Sequence, residues 1–259
     1  MKADFSEFTY GYAVTDDLIN GRGMRVTVAP VFPSLIEEGR RGGGYDLRLD
    51  RPGAPLFLQF KLADRMVRRS AAEVKAGLFT VPFYRMHLRA RKRSTQHDSL
   101  LELENRGQEV YYVAPAFHEK DELDRAYRER QVWNRSFRLR PGVIGPLLDD
   151  DYHHIAFQYP GTWILRSESE GKRGEAPTSG EIENRLLNRV SAPDTPAASV
   201  ALERADADIL GIVADRKDTV QEWASADLHA FIADLRPLER VAYFARRFFD
   251  CQLFLVQAK

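Results

Sequence analysis

The apolar run LFLQF at residues 56–60 constrains the fold more than any other feature of the sequence. Four of its five residues are apolar, which is typical of a strand that other layers cover on both faces. The turn-forming sequence DRPGAP precedes it at residues 50–55, and another strand-like run lies at residues 45–49. Together they predict a β-hairpin of residues 45–49 and 56–60 within a layered fold.

Strand-like and helix-like segments alternate along the rest of the chain. Apolar spacing predicts helices at residues 64–77, 96–105, 121–134, 219–235 and 237–249. It predicts strands at residues 83–93, 109–115, 136–139, 154–158 and 252–257. This alternation implies an α/β class with a mixed central sheet flanked by helices.

The composition changes sharply in one segment. Residues 167–199 are rich in Ser, Glu, Gly, Pro and Ala, which predicts a flexible insertion or linker with only a brief helix around residues 182–190. The sequence therefore predicts a core at residues 1–166, the linker at 167–199, and C-terminal helices and a strand at 200–259 that pack on the core.

Cysteine content and apolar run length indicate the compartment. Cys251 is the only cysteine, so the chain has no intramolecular disulfide and no Cys-rich zinc site, which fits a reducing cytoplasm. No stretch approaches the roughly 18 to 20 apolar residues of a membrane span. We therefore expect a cytoplasmic protein with no membrane partner.

Three polar residues of the predicted hairpin could carry out chemistry. Side chains alternate along a strand, so Gln59 and Lys61 point to the same face, and the hairpin brings Asp46 beside them. The carboxylate of Asp46 and the amide oxygen of Gln59 suit Mg²⁺ or Mn²⁺. Lys61 could activate a water or stabilise developing charge. The alternative interpretation is that Gln59 and Lys61 form the solvated face of an edge strand.

Asp46, a dozen residues and then Gln59-x-Lys61 form a pattern that resembles the restriction-endonuclease-like nuclease superfamily, whose motif is written PD-(D/E)XK. Gln59 replaces the usual acid, as in nuclease domains of bacterial anti-phage defence systems, and Tyr45 stands where the motif has Pro. The superfamily places a glutamate on a helix before the hairpin. The resemblance therefore implies Glu38, with Glu37 as the alternative, as a further catalytic and metal-binding residue.

The resemblance covers roughly residues 30–160 and implies a restriction-endonuclease-like core, elaborated by the C-terminal helices. It also implies hydrolysis of phosphodiester bonds in DNA and a role in anti-phage defence. Many nucleases of this kind act as dimers, so it implies a homo-oligomer. The sequence contains no phosphate loop of the GxxxxGK[ST] type, so a sensor or NTPase would be a separate partner.

Positive charge is concentrated immediately after the hairpin. Residues 61–93 contain ten basic residues and two acidic ones, although the whole chain has no net charge. Such arrays bind phosphate backbones. The predicted nucleic-acid-binding residues are Arg65, Arg69, Arg85, Arg89, Arg91 and Arg93. Two alternatives remain: a solvated strand face, or a surface that holds an acidic protein.

The sequence therefore predicts a Mg²⁺-dependent DNA endonuclease. Asp46, Gln59 and Glu38 would hold the metal, and Lys61 would act as the catalytic base. A second hypothesis is a catalytically inactive subunit of a larger defence complex that binds nucleic acid or a partner protein, because replacing an acid by Gln59 weakens metal binding.

Overall fold

Helices and strands alternate through the part of the chain that the structure describes. The structure is a computed structural model, and it describes residues 1–21, 26, 49–90, 94–147, 149–166, 172–216 and 231–257. The strands are β1 Gly53–Phe60, β2 Ala63–Met66, β3 Phe83–Leu88, β4 Glu109–Pro115, β5 Ser136–Leu139, β6 His153–Gln158, β7 Thr162–Arg166, β8 Arg173–Glu175 and β9 Gln252–Gln257. The helices are α1 Glu7–Asn20, α2 Ala72–Lys75, α3 Gln96–Asn105, α4 Lys120–Arg128, α5 Pro141–Ile144, α6 Ser179–Ser191, α7 Ala198–Ala214 and α8 Pro237–Phe249.

The strands form two sheets. A four-stranded mixed sheet has the order β5-β4-β1-β9, and a five-stranded antiparallel sheet has the order β2-β3-β6-β7-β8. Helices, including C-terminal ones, flank the sheets, so the predicted α/β class with a mixed sheet is confirmed. The finer restriction-endonuclease-like core stays a prediction.

The chain separates into two compact units. The first contains residues 1–23, 60–98 and 111–183, and the second contains residues 24–59, 99–110 and 184–259. Each unit draws on three separated parts of the sequence.

In the first unit, one face of the five-stranded sheet is apolar at one end and polar at the other. Phe83, Ala156 and Ile164 pack with Phe79 at the apolar end. The segment that contains α2 covers this end with partly buried apolar side chains. Arg85 and His87 follow Phe83 on alternate positions of β3 and so share its face.

In the second unit, β1 and β9 pair along most of their length, from Gly53 opposite Gln257 to Leu58 opposite Gln252. Helices α7 and α8 pack together, and both carboxylate oxygens of Asp206 accept hydrogen bonds from Arg240. Helix α8 ends at Asp250, which adopts a left-handed conformation with φ 52°. This reversal turns the chain directly into β9.

Several predicted elements occur where the sequence indicated them. Residues 96–105, 109–115, 136–139, 237–249 and 252–257 form the predicted helix or strand. The predicted strands at 83–93 and 154–158 correspond to β3 and β6, and the predicted helix at 121–134 corresponds to the shorter α4. The predicted helix at 219–235 falls outside the described residues up to residue 230. Helix α1, strand β7 and helix α7 were not predicted.

Two predictions differ from the structure. The helix predicted at residues 64–77 is wrong over its first part, because residues 63–66 pair with β3 as strand β2. In the described part of the predicted linker, residues 172–199, the brief helix predicted around residues 182–190 is present within the longer 13-residue helix α6, and strand β8 was not predicted. Ile182, Leu186 and Val190 are buried on that helix, and this apolar burial explains its order.

The neighbours of β1 in the mixed sheet are β4 and β9. The predicted hairpin partner at residues 45–49 lies outside the described residues, apart from Leu49. Within the described part of the chain, no helix is long and apolar enough to cross a membrane.

Glu73 ties the α2 segment to the five-stranded sheet. Its carboxylate is almost fully buried and accepts hydrogen bonds from Arg85 on β3 and from Nε2 of His154 on β6. Burial alone would raise the pKa of Glu73, but these hydrogen bonds outweigh it and lower the pKa to about 2.

We predict that Glu73→Gln lowers the free energy of unfolding by roughly 2 kcal/mol at pH 7, because the charge-assisted bonds are lost. The folded-state pKa lies below the ordinary value of 4.5, so this stability is present above pH 4.5 and is lost as the pH falls towards 2. Denaturant unfolding should therefore show a smaller difference between variant and wild type at pH 3 than at pH 7. Glu203→Gln, at an exposed position of α7, is the control. Equal differences at both pH values would contradict the prediction.

Candidate functional site

Strand β1 is buried along its entire length. All eight residues are buried, and Gln59 has no exposed surface. Lys61 follows the strand and is only 8% exposed. The alternative interpretation of a solvated edge strand is therefore wrong for these two residues. A buried amide and a buried ammonium both require polar partners, because desolvating them without partners costs several kcal/mol.

Gln59 is oriented by the turn that ends α8. Its Nε2 donates a hydrogen bond to Oδ2 of Asp250 at 3.3 Å. Asp250 also pairs with Arg246, one helical turn earlier, through its other carboxylate oxygen at 3.2 Å. Because Nε2 of the Gln59 amide faces Asp250, Oε1 faces the opposite way. The amide oxygen is the atom that can bind a cation.

Lys61 is held by the first residue of α3. Its Nζ donates to Oε1 of Gln96 at 3.0 Å, and its backbone N–H donates to the carbonyl of Val113 on β4 at 2.9 Å. Gln96 is itself buried. The ammonium group is therefore held at the start of a helix with a neutral hydrogen-bond acceptor.

His97, next to Gln96, is fixed in one protonation state. Burial lowers its pKa below the ordinary value, so the ring is neutral near pH 7. Its Nε2 lies 2.8 Å from the carbonyl oxygen of Gly145 and must donate to it. Nδ1 therefore accepts from the Tyr112 hydroxyl at 2.9 Å. Both ring nitrogens are occupied, which makes His97 a structural support for the start of α3.

The donor chemistry near Gln59 fits a hard cation. Mg²⁺ prefers carboxylate and amide oxygens, and Oε1 of Gln59 is an amide oxygen, whereas Oδ2 of Asp250 accepts from the amide nitrogen of Gln59. Within the described residues, no group of three or more His, Cys, Asp or Glu side chains is placed to hold a metal ion. Asp46, Glu38 and Glu37 lie outside those residues. A complete ligand set thus depends on residues of the predicted constellation beyond Gln59.

The predicted nucleic-acid-binding arginines differ in their surroundings. Arg69 and Arg89 are exposed, and Arg65 is half-buried. Arg85 is paired with Glu73 through Nε and Nη2, so much of its charge is already neutralised. Arg91 and Arg93 lie outside the described residues. The exposed arginines are the better placed of the described set to contact phosphates.

Two residues near the candidate site were not singled out in the sequence. Asp250 lies between a predicted helix and a predicted strand, and its proximity to Gln59 follows from the long-range pairing of β1 with β9. Gln96 was predicted only as the start of a helix. No local sequence signal connects either residue with its partner, because the partners are 191 and 35 residues away.

Comparisons with known proteins identify no family for the chain. No protein-family model matches it, and neither a curated protein nor a solved structure does.

Proposed function

We propose that the protein is a metal-dependent nuclease that hydrolyses phosphodiester bonds of DNA, with its active site at the end of β1. The observation that supports this most is the burial of Lys61 at 8% exposure immediately after a fully buried strand. Lysine is rarely buried in soluble proteins, because its charge is costly to desolvate. A lysine kept in such a position fits a task that requires a fixed positive charge.

The proposed roles follow from the chemistry of each group. Gln59, Asp46 and Glu38, with Glu37 as the alternative to Glu38, would hold Mg²⁺ or Mn²⁺ through oxygen atoms. A bound cation would polarise the scissile phosphate. Lys61 would orient the attacking water or stabilise charge on the phosphate oxygens, and its hydrogen bond to Gln96 at 3.0 Å would hold it in place.

Asp250 is a positioning residue in this proposal. It accepts the hydrogen bond from Nε2 of Gln59 and thereby directs the amide oxygen away from itself. Groups that orient metal ligands in this way typically contribute 10- to 100-fold to metal affinity.

The resemblance to defence nucleases suggests a setting for this activity. We propose that the protein acts in bacterial anti-phage defence as a homo-oligomer, with a separate sensor or NTPase protein as its activator. The alternative is a catalytically inactive subunit that binds nucleic acid or a partner protein. The exposed Arg69 and Arg89 support binding under either proposal.

We predict that Lys61→Ala and Asp46→Ala each reduce metal-dependent cleavage of plasmid and linear DNA by at least about 100-fold. This is the usual effect of removing a group that stabilises transition-state charge. Cleavage would be measured with Mg²⁺ and with Mn²⁺. Lys75→Ala is the matched control, because Lys75 is an exposed lysine on α2, and it should cleave like the wild type.

Two results would count against the nuclease. Wild-type protein that binds DNA but does not cleave it with any divalent ion would favour the inactive subunit. If Lys61→Ala cleaves DNA at the wild-type rate, Lys61 is not part of the active site.

We predict that Asp250→Ala raises the Mg²⁺ concentration for half-maximal cleavage about 10-fold or more, because the Gln59 amide loses its orientation. A titration of cleavage rate against Mg²⁺ would measure this. Asp215→Ala is the control, since Asp215 ends helix α7 at an exposed position. An unchanged Mg²⁺ requirement in Asp250→Ala would show that Asp250 does not position a ligand.

We predict that Arg69→Ala and Arg89→Ala weaken DNA binding across all sequences and each reduce the salt slope of log K by about 1, because each removes one phosphate contact. Fluorescence anisotropy at several salt concentrations, without divalent ions, would measure both quantities. Arg204→Ala on the exposed side of α7 is the control. An unchanged salt slope in both variants would show that neither arginine contacts a phosphate.

A further inference from the structure

Two histidines lie side by side on the five-stranded sheet. His87 on β3 and His154 on β6 are direct partners in the antiparallel register, and their ring centroids are 5.9 Å apart. The side chain of His87 is 59% exposed and that of His154 is 22% exposed. The pair is therefore open to a ligand from solvent.

Each imidazole has a carboxylate partner from a different element. Nε2 of His87 lies 3.3 Å from Oδ2 of Asp64 on β2, and Nε2 of His154 lies 3.0 Å from Oε1 of Glu73 on α2. A carboxylate on one ring nitrogen fixes the orientation of the ring and leaves the other nitrogen for proton transfer. Two histidine–carboxylate pairs therefore lie next to each other on the sheet.

The protonation state of His154 follows from its partners. Burial lowers the pKa of His154 below its ordinary value, and the charge of Arg85 lowers it further, although the hydrogen bond to Glu73 opposes both. The ring is therefore neutral near pH 7. Glu73 is ionised and can only accept, so Nε2 carries the hydrogen and the lone pair is on Nδ1. A neutral imidazole with a free lone pair is suited to act as a general base.

Two arginines occupy positions next to the pair, in addition to its two carboxylate partners. Arg166 on β7 lies directly opposite His154 in the register, and Arg89 follows His87 at the next exposed alternate position. Arginines of this kind bind phosphate oxygens. With ring centroids 5.9 Å apart, the two imidazoles are close enough to contact different oxygens of the same phosphodiester laid across them.

We propose that His87 and His154 form a second catalytic site, an acid–base pair that cleaves single-stranded RNA without a metal ion. The pair supplies proton transfer but no attacking side chain, so a substrate that carries its own nucleophile suits it. The 2′-hydroxyl of a ribonucleotide lies next to the phosphate and meets this requirement. The flexible backbone of a single strand lets that hydroxyl align with the departing oxygen.

The reaction is an internal transesterification. The 2′-oxygen attacks the adjacent phosphorus, and Nδ1 of His154 takes the hydroxyl proton. The bond between phosphorus and the 5′-oxygen breaks, and His87 gives a proton to that oxygen. The products are a 2′,3′-cyclic phosphate and a free 5′-hydroxyl, and proton exchange with water restores both rings. Nothing is oxidised or reduced.

The test uses the full chain in excess EDTA with a fluorescent single-stranded RNA. Wild-type protein should cleave it and leave 2′,3′-cyclic phosphate ends. His87→Ala and His154→Gln should each lower the rate by at least about 100-fold, the usual contribution of a general acid or base. Gln158→Ala, at the far end of β6, should stay within 2-fold of wild type. The same RNA with a single 2′-deoxy linkage should resist cleavage at that linkage.

Two results would contradict cleavage of RNA by the histidine pair. Absence of RNA cleavage by wild-type protein in EDTA would overturn it, and so would wild-type rates in both histidine variants. Because His87 is mostly exposed, His87→Ala should leave the fold intact, so a loss of cleavage in this variant would not result from misfolding. Thermal melting would check that both variants are folded. EDTA and the cyclic end separate this result from the metal-dependent nuclease, so either proposal can fail alone.

Discussion

The burial of β1 is the constraint on which the rest of the structure depends. All eight residues of the strand are buried, so its apolar side chains need cover on both faces. The pairing of β1 with β9 satisfies backbone hydrogen bonds along one edge of the strand. The polar residues at the end of β1 are then largely withdrawn from bulk solvent, and Gln59 and Lys61 require partners within the protein. Asp250 and Gln96 are among those partners.

Local sequence signals predicted the elements whose patterns are self-contained. Helix α3, strand β4 and strand β9 appear at the predicted bounds because each has a consistent apolar period and a clear boundary. The prediction failed at residues 64–77. There the helical spacing of apolar residues competes with the pairing of β2 against β3, and the long-range sheet contact prevails.

The candidate sites were predictable to different degrees. Strand alternation and motif spacing identified Gln59 and Lys61, since both signals are local. Asp250 and Glu73 could not be identified in this way, because their roles depend on partners in other elements. The registers of β1 with β9 and of β3 with β6 create these contacts. Register across distant segments is the information that a single sequence carries least directly.

The salt bridge between Arg85 and Glu73 connects the two proposed activities. The sequence predicted that Arg85 binds nucleic acid. In the structure its guanidinium forms two hydrogen bonds with Glu73 and is therefore less available to bind a phosphate. The same arginine lowers the pKa of His154 and balances the charge of Glu73. Without Arg85, an unbalanced Glu73 would favour a charged His154, which could not accept a proton. Burial is the main cause of the lowered pKa of His154, and Arg85, although lost as a phosphate ligand, helps burial to keep that histidine available as a base.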